Sequence, residues 1–274
     1  MSDPHHLQRC IFCNEEYTPL NPRSGEHLWP EWYSKVVPKK ARRPTYGTKI
    51  QVKRCGPDTV LFMPPTAKKR AGDPASQKLH IVCKKCNERW MGEIETAALP
   101  VMTPLILGNK ASITQEDKLI IARWATLKTI IGEYDDLRYA AITASERDYF
   151  YKEKSPLPNS KIWIGYFDGT DRWRTRYRHH GIQAAHRPLK EAVVHFDICN
   201  TQSSTFVGGK LFIYVASSSF IKPFDFGIQG FVGLLLRQIW PPSNQVIDWP
   251  LPPMNDEDAQ SVSDSLWAAG LRSG

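Results

Sequence analysis

Four cysteines in two widely separated pairs have the residue type and spacing of a zinc site. Cys10 and Cys13 form one Cys-x-x-Cys pair, and Cys83 and Cys86 form the other. Each pair presents two sulfurs from one tight turn, so that the two pairs together can supply the four thiolates of a tetrahedral zinc shell. A closed shell of this kind leaves no open position, which predicts a structural zinc ion. Two pairs of ordinary buried thiols are the alternative.

Three further side chains near these pairs have the chemistry of a hydrolytic site. Glu26 and His27 follow the first pair, and Asn87 directly follows Cys86. If one zinc ion gathers both pairs, the chain around Glu26 can fold back beside Asn87. A carboxylate and an amide oxygen suit a hard cation such as Mg²⁺ or Mn²⁺, and a neutral imidazole can deprotonate water.

Two longer strings extend this pattern. They read Glu26-His-Leu-Trp-Pro-Glu-Trp32 and Cys86-Asn-Glu-Arg-Trp-Met91. With the cysteine pairs, they make the first hundred or so residues resemble the HNH (ββα-metal) endonucleases, particularly the zinc-stapled type represented by phage endonuclease VII, and a bacterial HNH-like branch. Glu26 stands where Asp is usual in that family, and Trp90 stands where a Lys is expected.

The resemblance implies a metal-dependent endonuclease that hydrolyses nucleic-acid phosphodiesters, with DNA as the expected substrate. It implies His27 as the general base, Glu26 and Asn87 as ligands of a catalytic Mg²⁺ or Mn²⁺, and the four cysteines as ligands of a structural Zn²⁺. By analogy, such a protein would serve anti-phage defence or a mobile element. The alternative is a zinc-dependent nucleic-acid-binding or interaction subunit without cleavage, since the middle Asn of the family motif has no clear counterpart here.

Positive charge is concentrated beside this region. The chain has a formal net charge of +8, yet residues 35–85 contain fourteen Lys and Arg against two acids. An insertion over residues 35–82 therefore predicts contact with nucleic-acid phosphates, and a solvated loop is the alternative. The proposed contacts are Lys39, Lys40, Arg42, Arg43, Lys68, Lys69 and Arg70.

A second basic feature lies in the carboxy-terminal half. The alternating residues Arg172, Arg174, Arg176 and Arg178 would share one face of a strand. Such a ladder could follow a phosphate backbone, and an amphipathic strand with a solvated face is an equal alternative.

Composition limits the class of protein. No apolar run reaches the roughly 18 residues of a membrane span, and residues 1–6 have no apolar signal core. Cysteines arranged in pairs fit zinc in a reducing compartment better than disulfides. We therefore expect a cytoplasmic protein without membrane contact, with a partner or a second copy bound through the carboxy-terminal half.

The helices and strands predicted around these residues indicate an α+β protein. A zinc-stapled ββα-metal domain is expected over residues 1–110, with a helix that runs from Asn87 until Pro100 stops it. Glu93 and Glu95 on or near that helix are expected to be solvated, and assistance to the metal is the alternative. An α+β accessory domain is expected over residues 111–274. It would hold a long helix capped by Thr114, a second helix from near Thr143 or Ser145, and an antiparallel sheet. The expected strands are 161–167, 172–178, 192–199 and 210–217, with a closing acidic helix over 256–269.

Overall fold

The computed structural model of the protein describes residues 8–37, 77–170, 175–184, 199–220 and 225–266 in full, and the backbone alone of 53–55, 59–62, 185–186 and 267–268. The described helices are α1 (Tyr33–Val36), α2 (Lys84–Cys86), a π-helical turn (Asn87–Met91), α3 (Gly92–Leu107), α4 (Gln115–Glu133), a 3₁₀ turn (Leu137–Tyr139), α5 (Ala144–Glu153), α6 (Asp256–Ser263) and α7 (Ser265–Ala268). The described strands are β1 (Arg23–His27), β2 (Lys53–Cys55), β3 (Thr59–Phe62), β4 (Lys78–Cys83), β5 (Ala111–Ile113), β6 (Ser160–Phe167), β7 (Thr175–His186), β8 (Thr201–Gly208), β9 (Leu211–Ser218), β10 (Leu236–Trp240), β11 (Ile247–Trp249) and β12 (Pro253–Met254).

An eight-stranded sheet forms the centre of the described structure. Its strands follow the order β10-β6-β9-β8-β7-β3-β2, and β12 lies parallel to β6 at its side. The other neighbours are antiparallel. The expected α+β class with an antiparallel sheet is therefore confirmed. Strand β3 comes from the basic insertion and pairs with β7, so the insertion extends this sheet.

Each face of the sheet covers its own apolar core. One core joins the sheet to α3 and α4, and it contains Trp29, Trp124 and Phe206. The other core lies under α6 and α7 and contains Met254 and Val262. The Trp29 ring centroid lies 5.7 Å from that of Trp124 and 6.0 Å from that of Phe206. Residues on both sides of position 110 thus pack together, and a functional boundary at that position stays a prediction.

Helix α3 does not end at Pro100. It continues to Leu107 with Pro100 and Pro104 inside it, and Gly108 ends it in the left-handed region at φ 77°. Each proline removes one N–H from the helical ladder. Packing offsets that loss, since Met102 and Leu105 are buried in the core beyond the first proline. Residues 101–107, which follow the proline expected to stop the helix, are therefore helical.

The predicted helix starts are confirmed. Thr114 caps α4 and Thr143 caps α5, and each threonine forms a reciprocal capping box with the acidic residue three positions later. The strands expected near 161–167 and 210–217 appear as β6 and β9. Strand β8 was not predicted, because a run of polar residues does not show the apolar pattern of a buried strand. Its residues Thr201–Thr205 are nevertheless buried. The strand expected at 192–199 lies almost wholly outside the described residues.

A separate two-stranded hairpin carries Glu26 and His27, and the π-helical turn that follows it carries Asn87. Strands β1 and β4 pair antiparallel, and α2, the π-helical turn and α3 follow β4 without a loop. The chain between β1 and β4 holds the basic insertion. None of the described helices is long and apolar enough to cross a membrane.

Candidate functional site

The four cysteines of the two pairs converge on one point. The sulfur atoms of Cys10, Cys13, Cys83 and Cys86 all lie within 4.8 Å of one another. Tetrahedral zinc with Zn–S bonds of about 2.3 Å places its sulfurs roughly 3.8 Å apart. The Sγ atoms of Cys13 and Cys83 are 3.7 Å apart, which fits that shell. The convergence predicted from the spacing is confirmed, and the cluster could hold a structural metal such as zinc.

Backbone hydrogen bonds hold the two turns against each other. The amide of Ile11 donates to the carbonyl oxygen of Ile81, which ties the first pair to strand β4. The amide of Cys86 donates to the Sγ atom of Cys83 at 3.4 Å, so the second turn points its sulfurs inward. The turns are thus shaped by local bonds, while the hairpin brings them together.

The pKa values of the cysteine thiols are shifted in different directions within the cluster. A hydrogen bond with Cys86 lowers the pKa of the Cys10 thiol to about 5. Burial raises the pKa of Cys13 to about 12, and the hydrogen bond with Cys10 raises the pKa of Cys86. A metal that binds all four thiolates must therefore displace protons from Cys13 and Cys86.

We accordingly expect zinc affinity to fall as the pH is lowered, because protons compete with the metal for these sulfurs. Release of zinc to a colour-forming chelator, followed from pH 8 towards pH 5, measures the effect. A release rate that does not change with pH would contradict proton competition at this cluster.

A bulge in the hairpin lies directly before the acid–base pair Glu26-His27. Ser24 faces Val82, but Glu26 faces Leu79, so β4 has one extra residue opposite Gly25. Bulges re-aim side chains and occur often beside active sites. Glu26 is 4% exposed and points into the protein, whereas the side chain of His27 is 19% exposed.

Asn87 lies against the strand that carries this pair. Its side-chain amide donates to Ser24 Oγ at 2.8 Å and to the carbonyl oxygen of Gly25 at 3.4 Å. Asn87 thus contacts Gly25, the residue directly before Glu26. The fold-back that the sequence predicts between these two segments is therefore present.

The imidazole of His27 is suited to accept a proton. Burial lowers its pKa from the ordinary value of 6.5, and the positive charge of Lys78 lowers it further. The Nε2 atom lies 3.8 Å from a carboxylate oxygen of exposed Glu31. At neutral pH the ring is therefore mostly neutral and can act as a base.

Glu26 is engaged in an ion cluster that was not predicted. The ammonium of Lys128, in the middle of α4, pairs with the carboxylates of both Glu26 and Glu95. Lys128 is fully buried, and the side chain of Glu95 that pairs with it is 23% exposed, so Glu95 is not the fully solvated carboxylate expected from its helix. A lysine within the apolar run Trp124–Ile131 was the available signal, because a charged residue at such a position needs a partner.

A catalytic divalent cation on Glu26 and Asn87 fits this arrangement poorly. The carboxylate of Glu26 is almost inaccessible and already bound to an ammonium. The amide nitrogen of Asn87 is bound to β1, and its side chain is partly buried.

Most of the proposed phosphate contacts lie outside the described residues. These are Lys39, Lys40, Arg42, Arg43, Lys68, Lys69, Arg70, Arg172 and Arg174. Arg176 and Arg178 lie on β7, and Arg178 pairs with Asp264 at 2.8 Å. The charge of Arg178 is therefore paired with a carboxylate within the protein.

Comparison of the chain with protein-family models, with curated proteins and with solved structures finds no match.

Proposed function

We propose that this protein is an HNH-type endonuclease that hydrolyses phosphodiester bonds of nucleic acid, with DNA as the substrate. The observation that carries the proposal is the contact of Asn87 with the strand of Glu26 and His27. That contact occurs on an antiparallel hairpin that continues directly into a helix and is stapled by a four-cysteine cluster. This is the arrangement expected of a zinc-stapled ββα-metal domain.

The proposed reaction uses His27 as the general base. Its neutral imidazole takes a proton from water, and the resulting hydroxide attacks phosphorus while the 3′ oxygen leaves. A divalent cation bound at the site would stabilise negative charge on the phosphate. Because Glu26 is bound to Lys128, no step here depends on Glu26 as a metal ligand. The four-thiolate cluster supports the hairpin and takes no part in the reaction.

Incubation with supercoiled plasmid tests the proposal directly. Mg²⁺ or Mn²⁺ is added in one series and EDTA in a parallel series, and single-stranded DNA and RNA are offered separately. We expect nicked or linear plasmid with added metal and none with EDTA. Intact nucleic acid in every metal series would contradict the endonuclease proposal.

The pH dependence of cleavage should follow His27. A general base works only when it is unprotonated, so the rate should fall as the pH decreases through the pKa of His27. Since that pKa is lowered, cleavage should persist below pH 6.5, the ordinary value. Initial rates from pH 5 to 8 measure this, and a half-maximal rate above pH 6.5 would contradict the role of this histidine.

Nucleic-acid binding without cleavage is a second candidate. The ion pair of Glu26 with Lys128 favours it, since a carboxylate already bound to an ammonium is less available to a catalytic metal. A gel shift in EDTA that is not accompanied by cleavage in Mg²⁺ or Mn²⁺ would support this candidate over the first. Neither a shift nor cleavage would point to an interaction subunit.

A further inference from the structure

The ammonium of Lys128 lies where three oxygen atoms converge. It donates to Glu26 Oε1, to Glu95 Oε1 and, at 2.7 Å, to the main-chain oxygen of His27. The three oxygens come from β1 and α3, and the ammonium comes from α4. Lys128 therefore joins the hairpin to both helices behind it.

With both carboxylates ionised, the charges of this cluster do not balance among the described residues, and burial together with the charge of Glu95 raises the pKa of Glu26. Two carboxylates share a single ammonium in a place where Lys128 is fully buried, Glu26 is 4% exposed and the side chain of Glu95 is 23% exposed. Removing charge from water is costly unless an opposite charge compensates it. One monovalent cation leaves one negative charge over, whereas a divalent cation would neutralise both carboxylates.

The ligand set is also one that suits a divalent cation. Two carboxylate oxygens and a main-chain carbonyl are the hard oxygen donors that Mg²⁺, Mn²⁺ and Ca²⁺ take in proteins. We propose that Glu26, Glu95 and the carbonyl oxygen of His27 form a cation position that Lys128 occupies, and that a divalent cation enters it only when the ammonium leaves. Lys128 is thus a built-in competitor of the divalent cation.

This inference deepens the proposed function, because the cation position includes the carbonyl oxygen of the proposed base His27, and it rests on that function for its catalytic meaning. Metal binding itself is measurable without any nucleic acid. A protein that fails to cleave DNA can still show the competition, and a nuclease can fail to show it.

The test compares Mn²⁺ binding by the zinc-loaded wild type and by Lys128→Met, using the electron paramagnetic resonance signal of free Mn²⁺. Coupling between two sites of one protein commonly changes affinity by roughly 5–150-fold, and the lower end of that range sets the smallest gain that counts as competition here. We expect Lys128→Met to bind one Mn²⁺ at least about fivefold more tightly than the wild type. Adding Glu95→Gln to Lys128→Met should remove that gain, and Lys128→Arg should bind Mn²⁺ as weakly as the wild type.

A second buried lysine on α4 provides the matched control. Lys118 is also fully buried, but its ammonium donates to the carbonyl oxygens of Ser243 and Gln245, and no carboxylate pairs with it among the described residues. Lys118→Met should therefore leave Mn²⁺ binding unchanged.

The outcome remains decisive if Lys128→Met is unstable. A variant that folds only when Mn²⁺ is present supports the proposal, because a ligand of the native state stabilises it. A variant that stays unfolded with excess Mn²⁺ overturns it. Equal affinity in the wild type and a folded Lys128→Met, or a gain that survives Glu95→Gln, overturns it as well.

Discussion

Replacing Cys86 with serine is expected to remove the bound zinc and to leave the protein unfolded or insoluble. Serine cannot supply the fourth thiolate, and the Sγ atoms of the other three cysteines lie within 4.8 Å of the lost position. Structural zinc contributes about 10–16 kcal/mol of apparent binding free energy in small zinc domains. That range reaches or exceeds the roughly 5–15 kcal/mol by which whole proteins are stable. Metal analysis and circular dichroism measure the two losses.

Cys199→Ser provides the control for this variant. Cys199 is also buried, but it is not part of the cluster, and its thiol donates to the carbonyl oxygen of Arg138 at 3.4 Å. A serine hydroxyl can keep that hydrogen bond, so zinc content should stay near one ion per chain. A wild-type protein that is well folded without any metal would contradict the structural role of the cluster.

Replacing His27 with alanine is expected to abolish most cleavage and to leave the fold intact. Loss of a general base lowers the rate by about 10²–10⁴-fold. The side chain of His27 is partly exposed, and the bond from Lys128 goes to its main-chain oxygen, which alanine keeps. Zinc content and melting temperature should therefore stay close to those of the wild type. Plasmid cleavage rates and a thermal melt measure both quantities.

His80→Ala is the matched control on the neighbouring strand. The His80 ring lies close to Gly25, since a Cβ atom on that glycine would be 2.8 Å from its Cε1 atom. It is an exposed histidine beside the same bulge, so its loss should change the cleavage rate little. If His27→Ala is stable and fully active, the base lies elsewhere. If its activity falls only in proportion to its folded fraction, His27 is a structural residue.

Local patterns were sufficient to predict the metal cluster and several helix starts. Two Cys-x-x-Cys turns need only their own backbone bonds to present sulfurs, so their spacing predicts the ligand set. Thr114 and Thr143 cap their helices through acidic residues three positions away. Interactions of this range are visible in a sequence because both partners lie within one turn of helix.

Packing between distant segments decided the features that the sequence left open. Helix α3 passes through Pro100 because its far end is buried against the core, and polar β8 is buried between β7 and β9. Neither burial is visible in the local pattern.

The same holds for the candidate site. The sequence by itself determined that Glu26, His27 and Asn87 lie near a four-cysteine cluster. Only the tertiary structure decided that Glu26 turns inward to Lys128 while His27 stays partly exposed. The physical reason is that Lys128 lies 102 positions from Glu26 in the sequence. Only the fold brings its buried ammonium to the carboxylates that compensate its charge.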